Sequence, residues 1–137
     1  MNYRISFPAD FKNIPPLRDL VVHAARLQGF SEHQAEQLRS VVDELCNNAI
    51  EFGSQPTSEV ILELHVNENA VKIACHDQGH GNKLKAEDIL SQLNKTPDPN
   101  DKRGRGVRVI VKSFVDELSV SDNPHGGITV TAIMKKK

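Results

Sequence analysis

Three clusters in this chain have residue types and spacings that could do chemistry. Glu44 and Asn48 stand four apart within an apolar-periodic run, so on a helix an acid and an amide share one face at the rim of the apolar stripe. His76-Asp77-Gln78-Gly79-His80-Gly81 follows an alternating run. An aspartate leaving a sheet edge can accept hydrogen bonds from a bound base, and glycines without Cβ let backbone N–H groups come close to phosphates. Gly104-Arg105-Gly106 opens a helical stripe beside Arg103, which sets N–H groups of a helix start next to guanidinium groups, an anion site by construction. Singly, each has a plainer reading, as solvated boundary residues or an ordinary loop. In this order, on a helix, a strand end and a helix start, they could line a nucleotide site.

The elements that must position them follow from periodicity. Tyr3 to Phe7 alternates as a short first strand, with Pro8 as a breaker. From Pro15 to Gln28 the apolar residues Leu17, Leu20, Val21, Ala24 and Leu27 recur at three and four, an amphipathic helix ended by Gly29. Ser31 and Gln34 form the pattern of a capping box, and Ala35, Leu38, Val42, Leu45, Ala49 and Phe52 make the apolar face of a second helix, with Gly53 suited to end it. Val60 to Val66 and Val71 to Cys75 alternate about Asn67-Glu68-Asn69, a hairpin whose second strand delivers Asp77.

Beyond Gly81 the pattern weakens to a short helical piece, Ala86 to Leu93, and then to Thr96–Gly106, rich in proline, glycine and mixed charge; residues 82–106 are expected to form a lid. Val107, Ile110, Val111 and Phe114 restore a helix. Leu118 and Val120 mark a fourth strand, Asn123-Pro124-His125-Gly126-Gly127 a turn, and Ile128, Val130, Ala132 and Met134 a fifth strand before a tail of three lysines expected to be solvated. Hairpins enforce antiparallel pairing, so the expected fold is a two-layer α/β (α+β) sandwich rather than a doubly wound parallel sheet.

At 137 residues, with 38% hydrophobic and 26% charged residues, the chain reads as one domain over 1–137 with a real core. A net charge of −1 gives no general basic field, which argues against wholesale binding of nucleic acid or of an anionic membrane surface. With no apolar run long enough to span a bilayer and no export signal, a cytoplasmic protein is expected. Cys46 and Cys75 lie in apolar patterns without CxxC spacing and read as buried free thiols.

The three clusters stand as Glu44-Leu-Cys-Asn-Asn48-Ala49, Asp77-Gln-Gly79-His-Gly81 and Gly104-Arg105-Gly106. In this they resemble the boxes of the GHKL ATP-binding family, which includes histidine kinases, type II topoisomerase subunits, heat-shock chaperones and bacterial anti-sigma-factor serine kinases. The likeness covers nearly the whole chain and implies a Bergerat ATP-binding fold. The absence of a dimerising hairpin or large added domain makes the chain most similar to the anti-sigma-factor serine kinases. What the resemblance implies is Mg2+ held by Asn48, adenine read by Asp77, phosphates met by Gly79, Gly81, Gly104, Arg105 and Gly106, and Glu44 as the base toward a serine or threonine hydroxyl. It further implies a STAS-type anti-anti-sigma partner, a sigma factor and a homodimer. Two positions depart from the pattern: Phe52 stands where a histidine is common, and Gly127-Ile128 stands where the family has Gly-Thr. The missing hydroxyl either weakens the adenine contact or is replaced by Thr129 or Thr131.

Rival readings are a nucleotide-binding regulatory module without phosphoryl transfer and a structural protein without nucleotide. Cys75, His76, Asp77 and His80 invite a metal reading, but Cys75 and His76 fall on opposite faces of a strand. His23, His33, His65 and His125 read as scattered surface residues. The run Lys102-Arg103-Gly104-Arg105 lacks the aromatic platforms that single-stranded nucleic acid needs.

Overall fold

Alternation of apolar and polar residues builds the sheet. In β2 (Glu59–Val66), Val60, Leu62, Leu64 and Val66 are buried while Glu59 and His65 are exposed; in β3 (Ala70–His76), Val71, Ile73 and Cys75 are buried on the same side. Asn67 closes this hairpin without a glycine, its Oδ1 accepting from the N–H groups of Asn69 at 2.8 Å and Ala70 at 2.9 Å. The computed structural model describes residues 1–51, 58–79, 111, 113–124 and 126–137. Within them β1 (Asn2–Pro8), β2, β3, β4 (Glu117–Asp122) and β5 (Ile128–Lys135) form one five-stranded sheet in the order β1-β2-β3-β5-β4, every neighbouring pair antiparallel.

A 3-10 turn, Phe11–Asn13, is capped by Asp10, whose carboxylate accepts from Lys12 N at 3.0 Å, and leads into α1 (Ile14–Leu27) with prolines in its first turn, where their missing N–H groups cost nothing. In α2 (Glu32–Glu51) the Ser31 hydroxyl accepts from Gln34 N at 3.1 Å, half of the expected capping box. The other half is absent. Gln34 is buried where β5 ends beside α2, and its side chain donates to Lys135 O at 2.9 Å and accepts from Lys137 N at 3.3 Å. The three lysines are exposed, as expected, but are not a free tail: Lys135 belongs to β5, and Lys136 Nζ donates to Gln28 O at 3.0 Å.

Both helices lie on one face of the sheet. Leu38, Val41, Val42 and Leu45 of α2 pack with Leu62, Leu64, Ile73, Cys75, Ala132 and Met134 in a single core. Removing a leucine-sized side chain from water contributes roughly 1.5–3 kcal/mol, so these contacts hold α2 against the strand that carries Asp77. The opposite face carries Lys72, His76, Thr129, Thr131 and Ser119 and has no helix over it among the described residues, which makes two layers, as expected.

Phe52, Gly53, Gly81, the helical piece Ala86–Leu93, the lid over 82–106 with Gly104, Arg105 and Gly106, and His80 and His125 lie outside the described residues. Of the helix expected over Val107–Phe114, the structure describes Val111, Ser113 and Phe114 as helical, with Val111 buried. Among the described residues no helix is long and apolar enough to cross a membrane.

Candidate nucleotide site

On α2 the four-residue spacing brings Glu44 and Asn48 together, with Asn48 Nδ2 donating to Glu44 Oε1 at 3.1 Å. Sequence reasoning put both at a rim. The structure corrects this for Glu44, which is only 4% exposed, while Asn48 is half-buried. The reason is that α2 packs against α1 as well as the sheet, so Val41, Val42, Leu45 and Cys46 are covered too, and the buried arc is wider than a single stripe.

Asp77 sits at the end of β3, 7% exposed, and its N–H donates to Ile128 O at 3.0 Å, extending the β3–β5 ladder. Its Oδ1 accepts from Gly79 N at 2.9 Å and from Ile128 N at 2.9 Å. By strand parity it belongs with Ile73 and Cys75 to the side that faces α2, so the aspartate and the Glu44–Asn48 pair lie in the same layer of the fold. Two backbone donors to one oxygen hold the carboxylate in a set orientation with its charge solvated by protein dipoles.

The Gly79 N–H donates to Asp77 Oδ1 at 2.9 Å. What demands glycine is a φ of 71° and the approach of the β4–β5 turn: a Cβ would lie 2.5 Å from Gly126 O. Gly127 is tighter still, for a Cβ there would collide with the Asp77 carbonyl and Oδ1. The side chain of Asn123 completes this joint, donating from Nδ2 to Asp77 O at 2.8 Å while its Oδ1 accepts from Gly127 N at 3.1 Å. Sequence reasoning read Asn123 only as turn chemistry; nothing in its local pattern pairs it with a residue 46 positions away.

Neither Thr129 nor Thr131 can stand in for the hydroxyl missing at Ile128. Both point to the opposite face of the sheet, where Thr129 Oγ1 lies 2.7 Å from His76 Nδ1 and Thr131 is paired across from Ala74. The Ile128 backbone N–H, rather than a side chain, is what supports Asp77 at this position.

On that opposite face His76 Nε2 is 2.7 Å from Glu63 Oε1, the oxygen that accepts from Arg4 at 3.0 Å. His76 and Cys75 therefore face away from each other, and among the described residues no group of three His, Cys, Asp or Glu side chains could hold a metal. Cys75 is buried against Cys46. Its thiol is pushed well above the ordinary 9.0 by the hydrogen bond with Cys46 and by burial, which keeps it neutral and a poor nucleophile.

Asn48 fits a magnesium site: the metal favours oxygen ligands, and because its Nδ2 is engaged by Glu44 the amide presents its oxygen away from that carboxylate. A helix-borne acid–amide pair on the same side of an antiparallel sheet as a backbone-held aspartate is the arrangement that the resemblance to the GHKL ATP-binding family implies.

The chain belongs to the family described as histidine kinase-like ATPase domain, which it matches over residues 7–134. Among solved structures it is similar to the catalytic domain of the histidine kinase ThkA in a nucleotide-free form, at 16% identity and a TM-score of 0.54, over 98% of this chain and 96% of that one; this likeness shows the fold. No curated protein matches it.

Proposed function

We propose that this chain is an Mg-ATP-dependent serine/threonine protein kinase of the anti-sigma kind, which phosphorylates a STAS-type anti-anti-sigma partner and binds a sigma factor in the cytoplasm as a homodimer. The observation that carries the reading is the Glu44–Asn48 pair, joined at 3.1 Å on α2 in the layer that faces Asp77. Glu44 orients or deprotonates the acceptor hydroxyl, and its amide partner keeps the carboxylate pointed. Asn48 holds Mg2+, which when bound neutralises phosphate charge. Asp77 accepts from the amino group of adenine, and Arg105 with the glycines of the third box meets the phosphates. Phosphoryl transfer needs positioning and charge neutralisation more than covalent help, and these residue types supply both.

A second reading, a nucleotide-binding regulator without phosphoryl transfer, is favoured by the burial of Glu44, since a base must reach the hydroxyl of a partner protein. The two separate in one assay. Purified protein is incubated with labelled ATP, Mg2+ and a STAS-domain protein, and Glu44→Ala is run beside wild type. Labelled serine or threonine on the partner that disappears with Glu44→Ala is the expected result. Measurable ATP binding with no transfer would leave the regulator.

A further inference from the structure

We infer that Asn123 is a positioning residue for Asp77: it clamps the end of β3 to the β4–β5 turn and so sets how sharply the site separates adenine from a purine that lacks the exocyclic amino group. The inference rests on the nucleotide reading above and concerns a residue outside all three boxes.

Four contacts build the joint. Asn123 Nδ2 donates to Asp77 O at 2.8 Å, and Asn123 Oδ1 accepts from Gly127 N at 3.1 Å, so one amide grips both sides. The next residue along, Ile128, then donates its N–H to Asp77 Oδ1 at 2.9 Å, and Gly79 N donates to the same oxygen at 2.9 Å. The grip is close: neither Gly79 nor Gly127 has room for a Cβ, because the turn and the strand end touch through their main chains.

The two threonines nearest in β5 offer no substitute for the missing hydroxyl. Ile128 is aliphatic, and Thr129 and Thr131 lie on the far side of the sheet. Two main-chain donors, Gly79 N–H and Ile128 N–H, hold one carboxylate oxygen, and Asn123 ties the segments that carry them together. A carboxylate that reads an amino group loses discrimination when it swings, because specificity depends on the misfit of the wrong base as much as on the bond to the right one.

The test compares wild type with Asn123→Ala and Asn123→Asp, each checked for a native fold by NMR dispersion. Asn123→Asp keeps an acceptor for Gly127 N–H and loses the donor to the Asp77 carbonyl. Equilibrium binding is measured with Mg-ATP and with Mg-inosine triphosphate, alongside amide hydrogen exchange of the ligand-free proteins. In both variants ATP binding is expected to weaken roughly tenfold, the size of one net hydrogen bond, with inosine triphosphate binding unchanged. Exchange at Gly79 and Ile128 should quicken by a similar factor while the β1–β2 ladder stays protected. The inference is overturned if either folded variant keeps the wild-type preference for ATP, or if both nucleotides weaken together. If wild type binds neither nucleotide, the nucleotide reading fails by itself. Exchange then still decides the role of Asn123, and unchanged protection at Gly79 and Ile128 overturns it.

Discussion

Asp77 with Ile128 on one face of the β3–β5 pair, and His76 with Thr129 on the other, are polar couples only one residue apart along the same two strands. The first joins a buried carboxylate to backbone N–H groups; the second joins two side chains, imidazole to hydroxyl at 2.7 Å, on the face that carries no helix among the described residues. A backbone donor cannot rotate away, so Asp77 is held as rigidly as the ladder itself. A side-chain couple is held through rotatable bonds on both partners, so although Thr129 is itself buried it has more ways to change partner than a backbone donor has. Strand parity alone assigns one couple to the helix layer and the other to the opposite face, although the residues alternate in sequence.

The sharpest way to break that contrast is Gly127→Ala. A Cβ at Gly127 meets the Asp77 carbonyl and carboxylate, so a loss above about 3 kcal/mol is expected in urea denaturation. Wild-type stability would mean the joint is looser than described. Next comes Asp77→Asn, in which the carboxylate that accepts from Gly79 and Ile128 becomes a neutral amide; ATP binding by calorimetry should fall at least tenfold, with about 1–3 kcal/mol of stability lost.

On the same face, Cys75 gives a pH signature. Because its folded pKa is raised, the neutral thiol contributes stability that is intact below the ordinary 9.0 and declines as pH rises above it, when the unfolded chain ionises and the folded one does not. Chemical denaturation of wild type should show that decline, and Cys75→Ala should flatten it. The opposite face should respond least. Thr129→Val is expected to cost about 0.5–1.5 kcal/mol and leave ATP affinity unchanged, and Arg4→Ala, whose side chain is 63% exposed in its ion pair with Glu63, about 0–1 kcal/mol. A large loss of nucleotide binding from either would merge the two faces into one functional unit.

Much of this was legible in the chain. Val60, Leu62, Leu64 and Val66 announce a half-buried strand because a pleated backbone turns every second side chain inward, and Ala35, Leu38, Val42, Leu45 and Ala49 announce a helix because four residues make about one turn. The pairing of Glu44 with Asn48 follows from the same turn, and Asp77 at a strand end follows from the alternation before it. Local periods are set by covalent geometry, and so they survive without knowledge of the partner.

What only the tertiary structure decided lies where two distant segments meet. The depth of Glu44 depends on α1 covering α2. The Gly79 N–H turns to Asp77 because the β4–β5 turn presses against the strand end, and Asn123 finds Asp77 only across the sheet. Gln34 abandons half of its capping box because the end of β5 brings unpaired backbone groups beside it. In each case a buried polar group takes the partner that folding delivers, since leaving it unpaired would cost more than forgoing the local bond. The residues and their spacing determined the sheet, the helices and which acids could serve a nucleotide; the meeting of β3 with the β4–β5 turn determined how one of those acids is held.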